Sequence, residues 1–218
     1  MDDNNIIINI GRQLGSGGHD IGRMLALDFG AKYYDRELLN LAAKESGLSE
    51  KIFEQNDEKK GFFRGLFNMG SPHMNGESVF KPGLTQESLF QFQSEAIMKA
   101  AKAGSCVFVG RCADYILRDF NNKVNIFITA SLDYRIEQIM NKQHMSEDAA
   151  RKFIEQSEGR RADYYNYYTG KKWGYAASYD LCVDSSILGI QQTEHYIADF
   201  IRHWMELRNK KKADAYRL

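Results

Sequence analysis

Apolar positions in this chain fall into short runs and stripes that alternate between strand-like and helix-like spacing. Ile6, Ile7, Ile8 and Ile10 form a short apolar run, and Ile21, Met24 and Leu25 repeat at helical spacing behind it. That helix is expected to run to about Phe29, with Gly30 as its stop. Lys32 to Tyr34 reads as a short strand, and Asp35 as the cap of a helix carrying Leu38, Leu39, Leu41 and Ala42. Periodicity weakens from Ser49 to Pro82. It returns in a helix from Thr85 to about Ala103, with Leu89, Phe92, Ala96, Ile97 and Ala100 on one face. SCVFVG (105–110) has the pattern of a buried strand and leads into a helix containing Ala113, Ile116 and Leu117. A strand over Val124 to Thr129, a helix from about Ser131, and a helix that Ser146 starts as a cap follow. The pattern closes with a strand over Tyr179 to Val183 and a helix from about Gln191 to Leu207. Strands alternating with helices imply an α/β fold whose mostly parallel sheet is covered on both faces. Ligands of such folds bind beyond the carboxyl ends of the strands.

The residues expected at that rim carry the candidate chemistry. Between the first strand and its helix lies GRQLGSGGHD, with glycines at 11, 15, 17 and 18. Glycines let a backbone approach an anion closely, and the amides that start the following helix point toward it. The standard phosphate loop, G-x-x-x-x-G-K-[ST], places a lysine on the terminal phosphates and a hydroxyl on magnesium. With Gly17 as its last glycine, Arg12 stands where the first glycine belongs, Gly18 replaces the lysine and His19 the hydroxyl. A plain glycine turn before a packed helix is the competing reading. Arg12 could substitute for the lysine, because a guanidinium binds phosphate in fork geometry and stays charged. Gly110 and Arg111, just after the third strand, are expected on the same rim, as are Asp35, Arg36, Asp114, Asp184 and Ser185.

Composition narrows the classes. The 218 residues suit one sizeable α/β domain or two very small ones, and 29 basic against 29 acidic residues imply no net pull toward nucleic acid or a membrane surface. Only two prolines occur, against an extended disordered chain. The polar start MDDNN lacks the pattern of a signal peptide and no apolar run reaches membrane-spanning length, so a cytoplasmic location is expected. Cys106, Cys112 and Cys182 lack metal-ligand spacing and are expected to be buried free thiols.

Two stretches stand apart. Residues 49–82 hold Phe62, Phe63 and Phe67 among glycines and both prolines, which fits a flap or insertion, or equally a loop tucked on the core or in a homo-oligomer contact. EGRRADYYNYYTGKKWG (158–174) interleaves Arg160, Arg161, Lys171 and Lys172 with Tyr164, Tyr165, Tyr167, Tyr168 and Trp173. It could stack on single-stranded nucleic acid, close as a lid over transferring phosphates, or pack as a tyrosine-rich helix end. The lid is preferred, because net neutrality weakens the nucleic-acid option.

GRQLGSGGHDIG (11–22), YYDRELL (33–39), CVFVGRCADYIL (106–117) and RRADYYNYYTGKKWGYAASYDLCVDSS (160–186) together resemble the cytidylate kinase-like family. The resemblance implies a three-layer P-loop fold with a five-stranded parallel sheet over residues 1–207. It also implies a monophosphate-binding insertion over about 36–95 and a lid over about 158–178; the polar tail at 208–218, which lacks an apolar face, is expected to be solvated or to continue the helix. It further implies that Gly15, Ser16, Gly17, Gly18, His19 and Asp20 hold ATP, with Asp20 reaching Mg2+ through water. Asp35, Arg36, Arg111 and Asp114 would bind the acceptor, and Arg12, Arg111, Arg160 and Arg161 would stabilise the transferring phosphate. The reaction it implies is transfer of the γ-phosphate of ATP to a nucleoside monophosphate, CMP or dCMP first. A nucleotide-binding regulatory protein and a kinase for another small acceptor remain alternatives. Asp35, just before RELL, reads equally as a helix cap.

Overall fold

The computed structural model describes residues 5–35 and 86–215. The helix expected after Asp35, the 49–82 segment and Arg36 lie outside the described residues. Five strands form the sheet: β1 Ile7–Arg12, β2 Lys32–Tyr34, β3 Cys106–Val109, β4 Lys123–Thr129 and β5 Leu181–Asp184. Around it lie α1 Gly18–Asp28, α2 Gln86–Ala103, α3 Ala113–Ile116, α4 Leu132–Gln143, α5 Glu147–Thr169 and α6 Ser185–Ala215. The strand order is β2-β3-β1-β4-β5, and every pairing is parallel.

The alternation of side chains along β1 explains the three layers. Ile6, Ile8 and Ile10 face α1 and α6, where they meet Ile21, Leu25, Ile197 and Ile201. Ile7 points to the opposite face, with Phe108, Ile97, Ala101 and Leu117. A central strand buried on both faces reads as a near-continuous apolar run, as this one does. Its polar member, Asn9, is buried and donates from Nδ2 to Asn125 Oδ1 at 2.9 Å. The chain leaves β1 toward β2 on one side and leaves β4 toward β5 on the other. Connections that diverge in this way open a crevice beyond the carboxyl ends of β1 and β4, the switch point at which such sheets bind ligands. The loop after β1 sits there.

Several boundaries differ from expectation. The last strand begins at Leu181 and includes Asp184, and its helix follows at once from Ser185, with a non-helical break at Gly189 and a continuation to Ala215. Residues 158–169 do not form a separate segment. They are the second half of the 23-residue α5, which Ser146 caps by accepting from Ala149 N and which ends at Gly170 in a left-handed conformation. Tyr165 and Thr169 of this half are buried, so packing carries the helix through Gly159. Cys106 and Cys112 are buried free thiols as expected, whereas Cys182 is exposed. It lies on β5, which among the described residues pairs with β4 alone and ends the sheet.

Candidate active site

The loop from Gly11 to Gly18 is held from beneath by side chains of distant elements. Ser16 is buried and donates from its hydroxyl to Gln13 O at 2.9 Å. Gln13 N donates to Ile128 O at 3.0 Å, and the Gln13 carboxamide oxygen accepts from Thr129 Oγ1 and Ala130 N. Ser185 Oγ lies 2.7 Å from Ser16 O and 3.1 Å from Thr129 O, tying the loop to the start of α6. On the far side Leu14 N donates to Glu158 Oε1 at 3.3 Å, and the same oxygen accepts from Arg135 Nη1 at 2.7 Å. Gly15 has φ +83, and a Cβ there would stand 2.8 Å from the Arg135 carbonyl oxygen, so glycine is required on both counts. Gly17 caps α1 with no side-chain hydrogen bond to the helix start. The first amides of α1 have no intrahelical acceptor either, which leaves this terminus suited to an anion.

Cations gather over the loop. Arg12 ends β1, and its side chain crosses Gly18 toward Gly110 at the end of β3. Its Nη2 donates to His19 Nε2 at 3.2 Å, while its Nε is buried with no hydrogen-bond partner among the described residues. Burial pulls the Arg12 guanidinium down from 12.5 to about 9, and the charges of Arg161 and Arg111 add to the effect. Burial, then the Arg12 charge, lowers His19 to about 4, so its ring is neutral at pH 7. With Nε2 accepting from Arg12, the ring proton sits on Nδ1, which lies 3.0 Å from Tyr33 Oη and donates to it. Arg161 Nη1 donates to Arg12 O at 3.3 Å, bringing α5 to the loop.

Arg111 reaches the rim through an unusual turn. Gly110, Arg111 and Cys112 have φ of +80, +61 and +56. The left-handed region costs a non-glycine residue about 1–2 kcal/mol. The turn sets the Arg111 guanidinium 5.4 Å from the centre of the Tyr164 ring. Asp35 is buried, and its charge opposes the lowering of Arg12.

Arg12, Arg111, Arg161, His19 and Asp35 thus influence one another around the glycine loop. Arg160 does not join them: it is exposed and donates to Ser157 on its own helix. Asp20 is exposed in the first turn of α1. Asp114 accepts from Tyr165 Oη at 2.7 Å, and burial raises its pKa. The aromatic residues of 164–173 are largely packed. Tyr168 stacks on Phe90 at 4.1 Å, Tyr164 donates to Gln93 Oε1 at 3.2 Å, and Trp173 meets Phe127 edge-on at 5.5 Å. Tyr167 is the exposed one of the five. Among the described residues no three His, Cys, Asp or Glu side chains form a metal cluster, and no helix is long and apolar enough to cross a membrane.

A model of the cytidylate kinase-like family matches residues 7–187. The chain belongs to that family. This cytidylate kinase-like chain is also similar to the crystal structure of an uncharacterized protein from Eubacterium ventriosum ATCC 27560. That match has 26% identity and a TM-score of 0.69 over 90% of this chain and 98% of the other. A gluconokinase from Sinorhizobium meliloti 1021 matches at 11% identity with a TM-score of 0.53, over 95% and 97% of the two chains. A shikimate kinase from Bacteroides thetaiotaomicron matches at 12% identity with a TM-score of 0.50, over 90% and 98%. These two share the fold of P-loop kinases with this cytidylate kinase-like chain. No curated protein matches it.

Gly110 and Ser185 lie on the rim where the pattern places them, whereas Tyr33, Arg135 and Glu158 carry no signal in the sequence that marks them as parts of the site. Glu158 opens the EGRR stretch and was read only as part of a lid; nothing in its spacing marks a partner 144 positions away at Leu14.

Proposed function

We propose that this chain is an ATP-dependent phosphotransferase acting on a nucleoside monophosphate, with CMP and dCMP the first candidates. The observation that carries the reading is the buried Arg12 guanidinium, its Nε unpartnered among the described residues, amid the charges of Arg111 and Arg161. Cations that repel one another beside an uncapped helix start favour a multiply charged anion. A nucleotide triphosphate fits this loop. The amides of Gly15 to Asp20 would hold its phosphates, and Asp20 would reach magnesium through water, since that ion commonly keeps waters and one or two carboxylates. Bound there, the metal would neutralise charge on the phosphates.

The residues of the chain then position and stabilise. Arg12, Arg111 and Arg161 draw charge from the transferring group, which a preorganised, partly dry site does more effectively than water. A phosphate acceptor is already anionic, so no general base is required. Ser16, Ser185 and Glu158 keep the loop from moving as charge develops. A non-catalytic nucleotide-binding protein is the second reading, favoured by the glycine at position 18. Incubation with Mg·ATP and a panel of nucleoside monophosphates separates the two. Acceptor-dependent ADP release supports the transferase, and tight ATP binding without turnover on any acceptor supports the second reading.

A further inference from the structure

In the standard phosphate loop the first motif position is glycine and the seventh is lysine. Here the first is Arg12 and the seventh is Gly18. The fold sets these two positions against each other. A Cβ built on Gly18 would stand 2.6 Å from Arg12 Cβ and 2.9 Å from Arg12 Cγ. Separations below 3.0 Å are essentially never adopted by real Cβ atoms. The Arg12 Cβ is fixed by the backbone of β1, so rotation of the arginine cannot relieve the closer contact. Gly18 is locked in turn, because it opens α1 beneath Gly17. One of the two positions must therefore be glycine.

We infer that glycine and cation have exchanged places across this contact: Arg12 delivers from β1 the positive charge that a lysine at position 18 would deliver from α1. Gly18 is then a positioning residue that admits the arginine stem, and it does not mark a loop that has lost its cation. At the far end the Arg12 guanidinium lies against Gly110, where an added Cβ would meet the mobile tip of the side chain at Nη1. Neutral His19 completes the seat by accepting from Nη2. The guanidinium that results presents a planar fork where a lysine presents a point charge, which suits two oxygens of one phosphate. The functional half of this inference rests on the phosphate-site reading above; the steric half does not.

Four proteins test both halves: the native chain, Arg12→Gly, Gly18→Lys and the double variant, which restores the standard glycine and lysine positions. Melting temperature without nucleotide reads the steric half. Overpacking at this contact destabilises the fold, so Gly18→Lys should lower the native Tm by roughly 2–12 °C. The same substitution in the Arg12→Gly background should leave Tm level or raise it, since lysine is a better helix former than glycine. An equal loss in both backgrounds overturns the exchange. Calorimetric binding of Mg·ATP reads the functional half: each single variant should bind at least tenfold more weakly than the native chain, and the double variant at least tenfold more tightly than Arg12→Gly. A native chain that binds while the double variant binds no better than Arg12→Gly also overturns it. If none of the four binds ATP but the Tm coupling is present, the nucleotide reading fails and the steric exchange stands.

Discussion

Replacing Arg12 with methionine should stabilise the protein while weakening its hold on nucleotide. Methionine keeps the stem over Gly18 and removes the charge. The fall of Arg12 from 12.5 to about 9 corresponds to roughly 5 kcal/mol by which the fold disfavours the charged form, an upper bound because the crevice admits water. Against this stands the hydrogen bond to His19, about 1 kcal/mol. Exchanging a buried charge for an apolar side chain of similar size is often stabilising by about 1–4 kcal/mol. A gain of about 2 kcal/mol is therefore expected, or about 4–8 °C in Tm by scanning calorimetry without ligand. The sign follows from linkage. Below pH 9 the unfolded chain holds this proton without penalty and the folded chain does not, so the native protein carries the cost throughout the neutral range. Titration with Mg·ATP should show at least a tenfold loss of affinity, the worth of one charge-assisted hydrogen bond. A variant that melts below the native protein and still binds ATP as tightly would refute the idea of a frustrated cation awaiting an anion.

Other perturbations follow from the same contacts. His19 titrates near 6.5 when unfolded and about 4 when folded, so native stability should fall by about 3 kcal/mol as pH drops from 6.5 to 4. Denaturant titrations of His19→Asn across that range should show a shallower fall; parallel profiles would remove His19 as the cause. Arg135→Ala leaves Glu158 half-buried without its partner and loosens Leu14, and should cost about 2–4 kcal/mol with a matching loss of nucleotide affinity. Unchanged affinity at a lower Tm would confine that ion pair to stability. With a thiol-reactive dye, the folded protein should label at Cys182 alone, because Cys106 and Cys112 are buried with thiols pushed up to about 11 and 12. Labelling of all three without denaturant would contradict the packing around β3.

Fold and loop were legible because their signals are local. The isoleucine run of β1, the helical stripe behind it and SCVFVG each declare their element within ten residues, and Lys32 to Tyr34 was placed to the residue. The extent of α5 was not legible, since Gly159 and a dense charge pattern mask a helix whose inward residues, Ile154, Tyr165 and Thr169, are widely spaced. Cys182 misled because an edge strand has the same alternation as a buried one. The bracket formed by Arg135 and Glu158, and the steric pairing of positions 12 and 18, depend on backbone paths that no spacing rule encodes. Arg160 and Arg161 show the limit plainly: adjacent and chemically identical, they lie about 100° apart on α5, and the one that reaches Arg12 is decided by helix phase.

The most direct test of the account is ADP release from Mg·ATP in the presence of single nucleoside monophosphates, CMP and dCMP included. Release that depends on one acceptor, saturates with it and collapses in Arg12→Met is the predicted result. ATP bound by the native chain, with no release above background for any acceptor, would contradict phosphoryl transfer to a nucleoside monophosphate.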